Sequence, residues 1–246
     1  MSKTAVVTGG NRGIGRAISM ALARHGFAVA LTYRTREKEA EEVEAELNSQ
    51  GLTARGFQLD VEDRANISQV FETIRGSMGP VSVLVNNAAI SQEKPFDQIT
   101  DADWDQMMAV NLRGPFSCSQ EVLPDMLSQH WGRIVNISSI GGQWGGYNQV
   151  HYAVAKAGLI GLTRSLARIY SGQGITTNAI APGLVATEMS SNELSSSAGQ
   201  QKVADIPVGR IATSDEIAQS VVFLADEKSA YITGQTLNLN GGMLFR

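Results

Sequence analysis

Seven short apolar runs, each separated from the next by a stretch of helical periodicity, constrain this chain more than any other feature. The runs are 4–8, 28–32, 54–59, 81–85, 133–137, 175–180 and 235–239, and the helical stretches between them are 13–25, 36–49, 63–76, 103–129, 150–171 and 214–225. Parallel strands need long crossover connections and helices supply them, so the alternation predicts βαβ units feeding one parallel sheet. The runs TAVVT, AVALT and VSVLV are almost wholly apolar, as strands covered on both faces should be. Gly114-Pro115 interrupts the stretch 103–129 and predicts two helices there. The glutamate-rich segment 36–47 reads as a solvated outer helix with Val43 and Leu47 turned inward.

A chain of 246 residues suits one large α/β domain, and no Pro/Ser-rich linker or internal repeat divides it. Its 43% hydrophobic and 18% charged content excludes global disorder. The net charge of −4 offers no clustered cations for a polyanion, which argues against nucleic acid as a partner. No apolar run approaches the ~18 residues needed to cross a bilayer, so no membrane association is expected. Cys118 is the single cysteine, which forbids an intrachain disulfide and fits a reducing, cytoplasmic setting. Ser, Asn and Gly cluster at 188–205, which reads either as a mobile lid over a substrate or as a plain surface loop.

Thr8-Gly9-Gly10-Asn11-Arg12-Gly13-Ile14-Gly15 follows the first run directly and opens a helix. That is the context a phosphate-cradling loop needs, because the glycines allow a tight turn, a close approach of backbone to a pyrophosphate, and close packing of helix on sheet. The reading is a dinucleotide site. A Walker loop is excluded, since no Gly-Lys-Ser/Thr follows.

Tyr152 and Lys156 lie four apart on a helical stretch and share one face. A free phenol with a pKa of about 10 is a poor proton carrier at neutral pH, and a nearby ammonium favours its phenolate. His151 adjoins the tyrosine, but neighbouring helix residues point about 100° apart, so it reads as a packing or surface residue. Cys118 reads as a small buried side chain rather than a nucleophile. No metal site is indicated, because His25, His130 and His151 lack ligand-spaced partners.

The glycine spacing Gly-x-x-x-Gly-x-Gly after a threonine, together with Tyr-x-x-x-Lys, resembles the short-chain dehydrogenase/reductase family, and the resemblance runs from Thr4 to Met243. It implies a single-domain Rossmann fold over residues 1–246, a doubly wound, seven-stranded parallel sheet with helices on both faces. Ser139, thirteen residues before the tyrosine, matches the family's serine in preference to Ser138, and Asn111 matches its fourth catalytic member. The implied roles follow from that match. Ser139 steadies the substrate carbonyl, Tyr152 donates the proton, Lys156 holds the nicotinamide ribose and lowers the tyrosine pKa, and Asn111 positions a water.

The resemblance also implies a cofactor wall. Gly9, Asn11, Arg12, Gly13, Ile14 and Gly15 would cradle the pyrophosphate; Asp60 and Val61 would flank the adenine; and Asn87, Ala88 and Ala89 would line a ribose. Pro182, Gly183, Val185 and Thr187 would lie on the nicotinamide side, with Trp144, Tyr147, Gln149 and Met189 as pocket walls or plain packing. Ala89 stands where the family has glycine, which would be strained if its φ were positive. The second run ends without an acid, and Arg34 with Arg12 can pair with a 2′-phosphate, so NADP(H) is expected over NAD(H).

Within the family the chain looks most like 3-oxoacyl-[acyl-carrier-protein] reductases of fatty acid biosynthesis, by its Asn-Arg-Gly-Ile-Gly loop, the Ala157–Gly161 segment and the Gly-Gly-Met ending. Those enzymes commonly carry basic residues where this chain has Ser128-Gln129-His130 and Ser171-Gly172-Gln173, leaving Arg168 and Lys202 as substitutes. The alternatives are a stand-alone reductase of small ketones, sugars or quinones, and a non-catalytic NADP-binding regulator, which retention of both Tyr152 and Lys156 disfavours. A homotetramer is what the resemblance implies, and small residues on 150–171 suit close helix packing.

Overall fold

The computed structural model describes residues 2–188 and 197–245. Seven strands form one wholly parallel sheet: β1 (Thr4–Val7), β2 (Ala28–Tyr33), β3 (Ala54–Gln58), β4 (Val81–Asn86), β5 (Gly132–Ile137), β6 (Ile175–Pro182) and β7 (Thr236–Leu239). Their order is β3-β2-β1-β4-β5-β6-β7, so the direction of winding reverses between β1 and β4. This is the expected doubly wound Rossmann sheet, and ligands in such sheets bind outside the strand C-termini at that reversal.

Alternate strand residues feed two separate cores, which is why the runs of β1, β2 and β4 are almost wholly apolar. Ala5, Val7, Val29, Leu31, Val83, Val85, Val135 and Ile137 point to one face, where helices α1 (Gly13–Arg24) and α2 (Glu37–Ser49) cover them. Val6, Ala30, Leu84 and Ile134 point to the other, under α3 (Arg64–Met78). Val43 and Leu47 of the glutamate-rich α2 are buried in the first core, as their spacing predicts.

The stretch 103–129 departs from expectation. It begins as α4 (Asp101–Met108), widens into a π turn over 109–113, and continues as α5 (Gly114–Gln129). Two α-helices are present as expected, but the break between them is the π turn, and Gly114-Pro115 opens the second helix. Pro115 falls in the first turn of α5, where a missing N–H is tolerated, and the irregularity is the π turn just before it. A short helix, α6 (Gly141–Trp144), occupies part of the small-residue loop after β5, and α7 (Val150–Tyr170) carries the Tyr152 face. Of the region expected as a lid, Met189 and the rest of 189–196 lie outside the described residues, and 197–204 is a helix, α8 (Ser197–Ala204). Helix α9 (Ser214–Ala225) packs along α1 and completes the first core. Among the described residues no helix is long and apolar enough to cross a membrane.

Candidate active site

The glycine loop leaves the C-terminal end of β1 and is braced from two neighbouring strands. The Gly10 N–H donates to the Thr32 carbonyl at 2.8 Å, and the Thr8 hydroxyl accepts the N–H groups of Asn87 and Ala88 at 3.0 Å each. Asn87 returns its amide to the carbonyls of Thr8 and Gly9 at 2.9 and 3.0 Å, so its side chain is committed to holding the loop. Gly13 begins α1 at φ +51, a conformation L side chains rarely adopt. Arg12, at the N-cap, makes no side-chain cap, and no acid sits in the first turn of α1. Among the described residues the first N–H groups of the helix thus have no side-chain cap, which suits a pyrophosphate.

Gly15 is required by space rather than by φ. A Cβ there would stand 2.0 Å from the Gly9 carbonyl oxygen and 2.6 Å from the Asn87 amide nitrogen. Gly15→Ala is therefore expected to push the loop apart, lowering stability by ~1–3 kcal/mol and NADPH affinity by at least ~10-fold. A thermal melt and a fluorescence titration check both. Ala89 is the contrasting case. It is not among the described residues with positive φ, so the methyl in place of glycine carries no backbone strain.

Around the adenosine end the cations are already paired. Arg34 reaches Asp60 Oδ2 at 3.2 Å through Nε and Glu62 Oε1 at 2.9 Å through Nη1. Arg12 Nη1 reaches Glu188 Oε2 at 2.9 Å, and the same oxygen takes Nη1 of Arg36 at 3.2 Å. Arg36 is a third cation here, one that its sequence context disguises. It precedes the acidic helix and resembles part of its charge run, but its carbonyl accepts Asn11 Nδ2 at 3.0 Å, which anchors it to the glycine loop. Ile14 and Val61 pack against opposite cores rather than projecting polar groups.

Ser138 and Ser139 follow directly on β5, and the two serines separate cleanly. Ser138 is buried and donates to the Lys156 carbonyl at 2.8 Å, a structural lock on α7. Ser139 accepts the Gly141 N–H at 3.1 Å through its hydroxyl oxygen. Lys156 is 3% exposed, donates to the Ile137 carbonyl at 2.8 Å, and stands 5.6 Å from the Tyr152 ring centre. Asn111 lies in the π turn, fully buried, accepting the Ile90 N–H at 3.0 Å and donating to the Ile90 carbonyl at 2.8 Å.

The electrostatics differ from the sequence expectation in one respect. Burial raises the Tyr152 pKa above its ordinary value, and the influence of the Ser139 hydroxyl, which lowers it, is the smaller of the two. Burial also pulls Lys156 down to about 8. Both shifts have the same cause, since a dry site disfavours either charge, and in this state the ammonium does not outweigh that cost for the phenolate. Burial likewise pushes the Cys118 thiol up to about 12, consistent with an inert packing residue.

Pro182 ends β6, its carbonyl accepting the Ile140 N–H at 2.9 Å, and the Gly183 N–H donates to the Leu239 carbonyl at 2.9 Å. Val185 is buried beside Ala212, and the Thr187 methyl lies within 3.7 Å of where a Gly13 Cβ would stand. The nicotinamide-side segment and the glycine loop therefore meet. Trp144 and Tyr147 are largely exposed, and Gln149 approaches Glu93 at 3.5 Å. Beneath the site runs a buried amide chain that no motif signals. Asn86 Nδ2 donates to Asn136 Oδ1 at 2.8 Å, and Asn136 Nδ2 to the Thr163 hydroxyl at 2.9 Å, joining β4, β5 and α7.

A parallel sheet with a glycine loop at its reversal point, and a Ser-Tyr-Lys cluster beside it, defines a Rossmann-type oxidoreductase. Residues 9–244 match a family model described as enoyl-(acyl carrier protein) reductase. The chain is 42% identical over 241 residues to the 3-oxoacyl-[acyl-carrier-protein] reductase FabG of Escherichia coli, covering 98% of this chain and 97% of that one. It is 40% identical to FabG of Staphylococcus aureus, covering 99% and 98%. A solved structure provisionally assigned as an NAD(P)-dependent gluconate 5-dehydrogenase from Beutenbergia cavernae, with NADP bound at low occupancy, superposes with a TM-score of 0.93 at 36% identity, over 98% of this chain and 96% of that one. The chain belongs to the short-chain dehydrogenase/reductase family.

Proposed function

We propose that this protein is an NADPH-dependent 3-oxoacyl-[acyl-carrier-protein] reductase acting in fatty acid biosynthesis. The observation that carries the reading is Tyr152 and Lys156 one helical turn apart on α7, with the Lys156 ammonium 5.6 Å from the Tyr152 ring centre and bonded to the Ile137 carbonyl at the end of β5, two residues before Ser139. Near-full-length similarity to FabG supports the substrate class. Gly9–Gly15 and the uncapped N-terminus of α1 would hold the pyrophosphate, Lys156 the nicotinamide ribose, and Asp60, Val61 and Ala88–Ala89 the adenosine. The cofactor supplies the hydride. Ser139, whose oxygen already accepts from Gly141, donates to the carbonyl oxygen, and Tyr152, kept neutral by burial, transfers its proton there.

NADPH is the assigned cofactor on the strength of Arg34, Arg12 and the added Arg36. A bidentate arginine contact to a 2′-phosphate is worth ~1.5–3 kcal/mol, so kcat/KM with NADPH should exceed that with NADH by at least ~10-fold. Arg34→Asp should erase or invert the ratio, because the new carboxylate joins Asp60 and Glu62 against a phosphate. Steady-state kinetics with both cofactors decide it, and a wild-type enzyme equally efficient with NADH refutes it.

A free-carbonyl substrate is the second reading, favoured by Ser128-Gln129-His130 and Ser171-Gly172-Gln173, where a surface for an acidic carrier would want cations. NADPH oxidation with acetoacetyl-carrier protein, against simple ketones, sugars and quinones, separates the two. The working form that we propose is a cytoplasmic homotetramer, on the family resemblance and the small residues Ala153, Ala157, Gly158 and Gly161 of α7.

A further inference from the structure

The side of α7 next to Tyr152 carries a polar chain that runs from a buried imidazole out to the surface. His151 is fully buried, and its Nε2 lies 2.8 Å from Oε1 of Gln92. Gln92 Nε2 donates to Asp103 Oδ1 at 2.8 Å. The other Asp103 oxygen takes Lys94 Nζ at 2.6 Å, together with the Thr100 N–H at 2.9 Å and the Thr100 hydroxyl at 2.5 Å. These bonds, led by Lys94, hold the Asp103 carboxyl well below the usual carboxylate range.

The proton positions follow from the carboxylate end. Ionised Asp103 only accepts, so the Gln92 amide nitrogen faces it and the Gln92 oxygen faces the histidine; the imidazole must then donate from Nε2. In that neutral tautomer Nδ1 carries a lone pair. Nδ1 is buried and has no hydrogen-bond partner among the described residues, so a second proton would be an unsatisfied donor. Burial accordingly holds the imidazole pKa below its ordinary value, with Asp103 opposing the shift and Lys94 adding to it.

The chain is placed to fix a distance that matters. The segment after β4 is held at its start by Asn111, which bonds Ile90 on both sides, and at its end by the Lys94 N–H on the Asn148 carbonyl at 2.7 Å. Its middle is held by the His151–Gln92 bond and the Asp103 side chain beyond it. Immediately upstream of this segment lie Asn87–Ala89, and immediately downstream of His151 lies Tyr152.

We propose that His151 is a positioning residue for the reaction, registering the helix that bears Tyr152 against the loop that continues the cofactor wall, through a neutral imidazole donating to Gln92. The inference rests on the Tyr152 reading above. His151 touches no reacting atom; it acts by keeping the phenol at the correct reach from a carbonyl held over the cofactor. An ångström of misplacement in such a geometry can cost ~10²-fold in rate.

The test uses the full-length enzyme with NADPH, and compares His151→Leu, His151→Gln and Gln92→Leu in kcat, KM, NADPH Kd and melting temperature. His151→Leu should lower kcat ~10–100-fold with NADPH Kd changed less than ~3-fold, and His151→Gln, whose amide nitrogen reaches the Nε2 position, should recover to within ~3-fold of wild type. Gln92→Leu should reproduce the loss, and the double variant should be little worse than either single one. If His151→Leu does not fold, Gln92→Leu on the loop carries the same comparison.

The pH profile is the second readout. Wild-type turnover should fall on the acid side, below the ordinary imidazole pKa of about 6.5, as protonation forces a donor onto Nδ1, and His151→Gln should lack that fall. A folded His151→Leu turning over within ~2-fold of wild type, or a loss that His151→Gln fails to restore, overturns the proposal and leaves His151 a packing residue. Full activity in Tyr152→Phe would instead remove the tyrosine reading itself, which is a separate result.

Discussion

Tyr152→Phe should reduce turnover by ~10²–10⁴-fold while NADPH binds with nearly unchanged affinity, since a single general acid is worth that much and only a hydroxyl is lost. The ring stays, and so does the contact it makes with Lys156, so neither packing nor the lysine's bond to Ile137 is disturbed. Ser139 cannot replace the lost group. An alcohol is a far weaker acid than a phenol, and the single hydroxyl proton of Ser139 is already assigned to the carbonyl oxygen. The pH dependence gives a second check. Burial keeps Tyr152 protonated above its ordinary range, so carbonyl reduction, which consumes the phenol, should hold through neutral pH, while alcohol oxidation, which needs the phenolate, should rise with pH. Turnover above about a tenth of wild type, measured with saturating NADPH, would remove the proton-donor role.

The sheet was legible because its central runs, β1, β2 and β4, are apolar on both faces, and short runs of that kind between helical stretches suit buried parallel strands. The glycine loop was legible because Gly15 sits where any side chain would collide with the Gly9 carbonyl, and such a constraint leaves a spacing in the chain. The departures come from interactions that have no period. The π turn at 109–113 widens the helix without changing the apolar pattern, so Gly114-Pro115 marks an irregularity that is in fact centred on Asn111. Arg36 was hidden in a charge run because what ties it to the loop is its backbone carbonyl, which every residue has. Adjacency to Tyr152 predicted a packing or surface residue at His151, and the structure buries it, but its bond to Gln92 spans 59 residues and depends on how the loop after β4 packs on α7. Likewise the Tyr-Lys spacing predicts a shared face and says nothing of solvent. How dry that face is decides the pKa values, and dryness is set by the elements that pack on α7, among them β6, α6, α4 and the π turn.

Lys156→Met should do more damage than loss of the tyrosine hydroxyl, because one ammonium is assigned to both the ribose and the proton path. A charge-assisted hydrogen bond is worth ~1.5–3 kcal/mol, so NADPH Kd should weaken by ~10–150-fold, and kcat should fall in the same variant. The stability effect runs the opposite way. Lys156 titrates at about 8 in the folded protein and near 10.5 when unfolded, so below about 8 the fold bears the full cost of burying the charge, on the order of 3 kcal/mol. Between those values the unfolded chain binds more protons, and that cost disappears as pH rises. Methionine fills a similar volume without the charge and forfeits the bond to the Ile137 carbonyl, which offsets part of the gain. The variant should therefore melt higher than wild type near pH 7, and the difference should shrink as the pH is raised past about 8. Wild-type affinity for NADPH should weaken over the same rise, as the ammonium is lost, while the variant's affinity stays flat. Titrations and melts of both proteins from about pH 6 to about pH 10, at roughly 0.15 M salt, measure all of this. A variant with weakened turnover but wild-type NADPH affinity at every pH would show that the lysine serves the tyrosine alone and that the ribose is held by other groups.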